Sequence, residues 1–397
     1  MTKKAIEPAH FPFYNYRDYS FALGLDTPHG VWLSGHTASV HSPEKKGMIV
    51  AGEGDIVAQS RVAYDKIRTI LEATGLGLMD VVRTVDYVTA NGIDDYHRTL
   101  ELRREVFGDN PPVTNTVVVN RLLRPTAFIE IEAFASRAGN QLVGLSEPVD
   151  RMHRARARRV GDLVYLGAQL PVRPGTDEVV APGDIVAQAQ QIYENTSEIL
   201  KAAGIGWEHI VKTVEFLAPD GLADYWKTGQ VRRNFLAPHY PAATGILMPR
   251  LPLSGAMLQV DFVASLQPKS IVNPGWDRYA KLTYSPAVKA GNMLFLAGQG
   301  AMNPETNQVE FDGDIVGQTR YVYSNIMKVM KAAGVPPNAM VKTIEFVTPA
   351  ALPRYRETAN VRREFFDPPL PTATGIVCEK LLRPEMLIEV DAWAIVE

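Results

Sequence analysis

One register runs through this chain three times. Gly54-Asp55-Ile56-Val57-Ala58-Gln59 returns at Gly183 to Gln188 and again, with Gly317 substituted, at Gly313 to Gln318. Asp55, Asp184 and Asp314 therefore stand 129 and then 130 residues apart. Val82-Arg83-Thr84-Val85-Asp86-Tyr87 returns at the same offsets as Val211-Lys212-Thr213-Val214-Glu215-Phe216 and Val341-Lys342-Thr343-Ile344-Glu345-Phe346. Tyr96, Tyr225 and Tyr355 keep the register, as do the arginine pairs 103–104, 232–233 and 362–363. Ile129-Glu130-Ile131-Glu132 lines up with Leu258-Gln259-Val260-Asp261 and Ile388-Glu389-Val390-Asp391. Separate blocks holding one long period mean a supersecondary unit used three times. The modules are placed at 1–138, 150–266 and 280–397. Segments 139–150 and 266–280, with Gly139, Pro148, Pro268, Asn273, Pro274 and Gly275, read as linkers.

Upstream the register slips. Ser34-Gly35-His36 matches Gly167-Ala168-Gln169 at 133 and Ala297-Gly298-Gln299 a further 130 on. The first copy thus carries a length difference between its early strands and its first helix. Its aromatic start (Phe11, Phe13, Tyr14, Tyr16, Tyr19) has no counterpart in the other copies. That stretch would add a strand, cover an edge or feed an oligomer contact.

The third copy gives the module's plan. Met293-Leu294-Phe295-Leu296-Ala297-Gly298 reads as a strand. Asp314, a favoured N-cap, opens an amphipathic helix that Gly334 and Pro336 stop. The block 341–347 is β-branched and alternating, hence a strand. A second helix over about 352–366 ends at Asp367-Pro368-Pro369, and closing strands follow near 374–378 and 387–394. This is an α+β sandwich with helices on one sheet face. Period-2 alternation puts Ile129 and Ile131 on one side and Glu130 and Glu132 on the other. By the same rule Val85 and Tyr87 would face the helices, and Thr84 and Asp86 away. The polar face is either solvated or hidden where three sheets face one another around a pseudo-threefold axis.

Composition narrows the function. A formal charge of −3 over 397 residues, with no basic patch, gives nucleic-acid binding no electrostatic support. One cysteine, Cys378, leaves no disulfide framework or cysteine-rich metal site, and core packing is its default role. No apolar run approaches the ~18 residues of a membrane span, and no apolar stretch follows Met-Thr-Lys-Lys as in a signal peptide. The expectation is a cytoplasmic protein with no membrane partner, no metal and no cofactor.

Tyr284-Ser285-Pro286-Ala287-Val288, Gly291 to Gln299, Gly313 to Gln318, Val341-Lys342-Thr343, Arg363-Glu364-Phe365-Phe366 and Ile388 to Ala392 resemble the pattern of the YjgF/RidA family of small trimeric enamine/imine deaminases. The resemblance covers most of all three copies. It implies three tandem chorismate-mutase-like sandwiches forming a pseudo-trimer, with ligand clefts between modules and scope for a further homo-oligomer. It also implies a substrate-clamping arginine after the Pro-rich turn, but the matching positions here are Thr114, Ala243 and Ala373. Two residues later stand Thr116, Gly245 and Gly375. The family's water-activating glutamate matches Glu130 and Glu389, with Gln259 in the second copy.

The candidate acids and bases are therefore Glu130, Glu389, Glu345, Glu215 and Asp86, with Glu132, Asp261 and Asp391 nearby. Paired carboxylates in a cleft have their pKa values pushed apart; the plain alternative is a satisfied polar strand face. Arg104, Arg233 and Arg363 are candidates for gripping a substrate carboxylate in place of the missing arginine, against a surface ion-pair role. His36, where the other copies have glutamine, is a candidate base or a hydrogen-bonded structural residue. Thr114, Thr244 and Thr374 are candidate substrate contacts near the Pro-rich turn, where a hydroxyl and a backbone N–H suit an oxyanion. The expected function is a cofactor-free hydrolase or deaminase acting on a small carboxylated, nitrogen-containing metabolite. The alternatives are a ring-opening amidohydrolase or chorismatase-type lyase on the same architecture, and a non-catalytic small-ligand binder. Ribonuclease activity, sometimes attached to the family, draws no support from an acidic chain.

Overall fold

A computed structural model describes residues 3–17 and 19–396. Each copy builds one mixed sheet. In the third the strand order is Lys269–Val272, Ala287–Ala290, Met293–Leu296, Ile388–Ile395, Met340–Val347, Thr372–Val377. Neighbours are antiparallel except the last pair, which is parallel and so needs a crossover. The second copy repeats this order from Asn140–Leu142 to Ala242–Leu247, and the first from Lys4–Ala5 to Val113–Val119. The segments read as linkers thus each give the following sheet its edge strand.

Two helices cover one face of every sheet: α1 (Ile56–Glu72) and α2 (Leu100–Phe107), α3 (Ile185–Ala202) and α4 (Gly229–Leu236), α5 (Ile315–Ala332) and α6 (Thr358–Phe365). None is long and apolar enough to cross a membrane. Asp55, Asp184 and Asp314 cap the long helices, accepting from Val57, Val186 and Val316 N–H at 3.0, 3.0 and 3.2 Å. Gly334, with φ of 70°, closes α5 in the left-handed conformation that a C-terminal cap needs. The glutamine of the repeated block has a separate task. Gln318 Oε1 accepts from Leu387 N–H at 2.7 Å and Nε2 donates to Glu385 O at 2.8 Å. Gln59 and Gln188 hold Phe128 and Met257 in the same way. Each long helix therefore fixes the entry of the strand that carries Glu130, Gln259 or Glu389.

The upstream slip is a hairpin, Ser39–Ser42 with Gly47–Val50, present in the first copy. The corresponding loops of the others close with the single bridges Val172↔Val179 and Met302↔Val309.

The three sheets turn their other faces to one another. Val85, Tyr87, Val117, Phe216, Ile246, Ile344, Phe346 and Ile376, from all three copies, form one buried cluster. Trp32, Phe134, Tyr165, Phe295 and Trp393 form a second. Between Val82 and Val85 in sequence stands Arg83, whose counterparts are Lys212 and Lys342. All three are buried, and Arg83 pairs with Glu132 of its own module at 3.8 Å. Lys342 pairs with Glu132, and Lys212 with Asp391. Asp261 lies in the field of Arg83 and accepts from Asn115, and burial lifts its pKa to about 6. The chain is thus an α+β pseudo-trimer with two apolar plugs and an ionic belt inside.

This packing corrects one expectation. Val85 and Tyr87 face the shared interior, while Asp86 turns towards α1 and α2, where Tyr96 Oη donates to it at 2.6 Å. A strand buried on both faces has no wet side, so alternation says which residues share a face and not which face it is. The acid goes where its tyrosine and arginine partners are. For Ile129 and Ile131, packed against the helices, the alternation holds.

Candidate functional site

Three seams join the modules, and each uses one device. The edge of the parallel pair is met by the lead segment of a neighbouring module: Ala155 N–H donates to Pro112 O, Ser285 N–H to Pro241 O and Ala22 N–H to Pro371 O, at 2.9, 2.8 and 3.2 Å. Beside each bridge a cleft forms between the last long strand of one module and the second helix of another. The three bridges also align the lead segments, so Trp276, Tyr279 and Tyr284 are the positional counterparts of the N-terminal aromatics. No block similarity marks this match in the sequence.

Each cleft floor carries a buried acid, tyrosine and arginine. Arg103 pairs with Asp86 at 3.3 Å, Arg232 with Glu215 at 2.8 Å and Arg362 with Glu345 at 2.7 Å. Tyr225 and Tyr355 donate to Glu215 and Glu345 at 2.7 and 2.6 Å. The arginine entering each cleft is therefore the first of each pair. Arg104 lies outside on Glu101 at 2.7 Å, Arg363 is exposed near Asn360, and Arg233 is exposed at the rim of one cleft. An i, i+1 step turns a helical side chain by about 100°, and the sequence pair gives no sign of which member points in.

The clefts then diverge. Between the first and second modules Gln259 stands where the others have glutamate. Arg103 is capped there by Met152 O at 3.1 Å, and Arg154 donates to Thr116 Oγ1 at 3.2 Å while pairing with Asp150. Thr114 is engaged by Arg103 at 2.7 Å.

Between the third and first modules Glu130 is buried, and burial together with Glu132 raises its pKa to about 8. Lys66, brought by burial to about 7, lies in its field. The Lys66 ammonium donates to Thr37 O at 2.7 Å and sits 4.7 Å from the Tyr14 ring centre. Arg362 donates to Ser20 Oγ at 2.8 and 3.0 Å, which ties the aromatic segment over this seam. Thr374 accepts from Gly35 N–H at 3.0 Å and donates to Glu132 at 3.1 Å. His36 is buried, neither ring nitrogen has a partner among the described residues, and desolvation drops its pKa to about 3. It is uncharged at neutral pH and a weak base.

Between the second and third modules lies a cavity of about 340 Å³. Glu389 reaches it from strand Ile388–Ile395. Its carboxyl is buried, and burial followed by the charge of Asp391 raises its pKa to about 8 against a lowering by Lys212. Thr244, at the same wall, accepts from Lys212 at 2.9 Å and donates to Asp391. Gly298 leaves the carboxyl its room: a Cβ there would lie 2.2 Å from Glu389 Oε1 and 2.9 Å from Thr244 Cγ2. Glu215, Arg232 and Tyr225 form the floor, and Arg233, Arg278, Lys281 and Arg383 add cations around it. With Glu215 paired and Glu389 largely protonated at neutral pH, the cavity favours an anion. In sequence nothing singled out Arg278, which stands alone in a segment without block similarity. Lys212 and Lys342 did carry a signal, since a cation recurs at that register in all copies.

Such a molecule is a fused three-module protein with composite clefts at its seams, unequal in chemistry. The sequence model of the endoribonuclease L-PSP family matches residues 15–137, 147–266 and 277–396, and the chain belongs to that family, in agreement with its YjgF/RidA motifs. A RutC family protein of Pyrococcus horikoshii is 34% identical over 111 residues, 28% of this chain and 85% of that protein. The 2-iminobutanoate/2-iminopropanoate deaminase of Mus musculus is 28% identical over 110 residues, 28% of this chain and 78% of the mouse protein. A solved chorismatase has the same fold over 80% of this chain and 93% of its own, at a TM-score of 0.50 and 15% identity.

Proposed function

We propose that this protein is a cofactor-free hydrolase of the imine deaminase type, acting on a small carboxylated substrate in the cleft between the second and third modules. The observation that carries the reading is the buried, largely protonated carboxyl of Glu389 facing a ligand-sized cavity whose other unpaired charges are cationic. A 2-imino acid presents a carboxylate for the cations and a basic nitrogen for the acid. Glu389 donates its proton to the imine nitrogen as water attacks the carbon. The resulting carboxylate takes a proton from the added water and returns it to the amine; ammonia then leaves as the carbinolamine hydroxyl gives its proton back to Glu389, with a 2-oxo acid as the other product. Asp391 and Lys212 set the charge behind Glu389, while Glu215 and Tyr225 hold Arg232 in the floor. The mouse relative's activity is consistent with this chemistry.

The test is ammonia release from imines generated in situ by an amino-acid oxidase, with and without the protein. Release should be accelerated at pH 7 and the acceleration should fall as pH passes about 8, where Glu389 loses its proton. No acceleration with any side chain would contradict deamination. The second reading is then a hydrolytic or lyase step on a cyclic carboxylate, favoured by the rings of Trp276, Tyr279 and Tyr284 in the cavity wall and by the fold shared with the chorismatase.

A further inference from the structure

Arg278 stands on the short turn Asp277–Lys281 that leads into the third module. Counting back from the aligned bridges, its place is taken by Asn15 in the first module's lead and Pro148 in the second's. Four arginines at the seams have acids: Arg103 with Asp86, Arg154 with Asp150, Arg232 with Glu215 and Arg362 with Glu345, while Arg233 and Arg383 in the same lining are exposed to solvent. Arg278 has no acid partner among the described residues. Its Nη1 meets only a thioether, Met302 Sδ at 2.6 Å, and its buried Nε has no partner. A guanidinium offers five donors in a planar fork suited to a carboxylate, and a thioether is a weak acceptor. A half-buried cation on a cavity wall, so poorly satisfied, gains most from an anion that enters the cavity.

The surroundings restrict what carries that anion. Arg278 lies 5.6 Å over the Tyr279 ring, which stacks on Trp276 at 6.0 Å and 22° and meets the edge of Tyr284 at 5.4 Å and 85°. Met302, Met386 and Leu382 supply soft apolar surface elsewhere in the lining. The cavity falls within the ~300–1,000 Å³ of sites that enclose drug-sized ligands, so a three- or four-carbon imino acid would leave much of it unfilled. We propose that Arg278 is the carboxylate anchor of this cleft and that, with the ring wall behind it, it selects substrates whose carboxylate is borne on a flat, ring-containing body. The proposal rests on the reading of this cleft as the working site, and supplies its specificity.

The test uses binding as well as turnover. Trp276 and Trp226 line the cavity and report occupancy, so the full chain is titrated with benzoate, benzamide and acetate while tryptophan fluorescence is followed. Benzoate should quench saturably and bind at least about tenfold more tightly than either benzamide, which lacks the charge, or acetate, which lacks the ring. In Arg278→Met, benzoate should weaken by about tenfold or more, to the level of benzamide, with thermal unfolding unchanged. Arg278→Lys, a charge without a fork, should fall between, and Trp276→Phe should lose the part of the signal that comes from the ring wall. Benzoate binding that is absent from the wild type, unaffected by Arg278→Met, or no tighter than acetate binding would overturn the proposal. If benzoate binds as described and no imine is hydrolysed, the deaminase reading fails and the anchor stands.

Discussion

Glu389, Glu130 and Gln259 occupy one position in three modules, and what surrounds them decides what each does. Both glutamates are buried and shifted to about 8. Glu130 has the Lys66 ammonium in its field and an aromatic segment tied over its seam, whereas the position of Lys66 is Asn325 in the third module, and Glu389 faces open volume. The raised pKa is also a statement about stability. The folded protein holds these protons more tightly than the unfolded chain does. Stability therefore falls as pH climbs from about 4.5, the ordinary glutamate value, to about 8. Glu389→Gln should remove that loss. The variant should be more stable than the wild type at pH 9, by on the order of 5 kcal/mol, and match it near pH 4.5. Equal stability of the two at pH 9 would mean that Glu389 is not the buried acid described here. The position was legible in the sequence, because Ile-Glu alternation and the repeat both point to it. Arg278 was not: a single charge in a segment without block similarity has no period to betray it. Nor was the choice between Arg232 and Arg233, since neighbours on a helix face different ways and only packing decides.

At the scale of elements, the clefts depend on where strands enter and how closely they approach. The repeated glutamine of each long helix pins the start of the last long strand, and a glycine opposite leaves space for the carboxyl that the strand presents. Gly298→Ala should push the Glu389 side chain off its place while leaving the sheet intact, because the first atom met is the tip of a flexible side chain. Imine hydrolysis should fall by about 100-fold with an unchanged unfolding temperature. Gly35→Ala makes the same clash, 2.2 Å from Glu130 Oε1, in the covered cleft and should leave turnover near wild type. Equal losses from the two would show that both clefts work. The elements themselves were largely readable: the Asp caps, the glycine stops and the β-branched blocks all fold as they read. The segments taken for linkers were misjudged because three or four residues pairing on a sheet edge leave no alternation long enough to notice. The strand that carries Asp86 was assigned the wrong face because both its faces are dry.

For the whole molecule, the repeat predicted the architecture, and fusion explains the inequality. In a trimer of identical subunits every cleft must be the same. Joined in one chain, each cleft varies alone: one has lost its acid, one is overlain by the N-terminal aromatics, and one keeps a cavity. The ionic belt binds all three modules through Lys342–Glu132 and Lys212–Asp391, so no module is expected to stand without its neighbours. The central claim is that a single seam, between the second and third modules, does the chemistry. It is tested most directly by measuring ammonia release from oxidase-generated imines for Glu389→Gln and Glu130→Gln side by side. The account predicts a loss of about 100-fold or more in Glu389→Gln and a change of less than about threefold in Glu130→Gln. Full activity in Glu389→Gln, or a matching loss in Glu130→Gln, would contradict it.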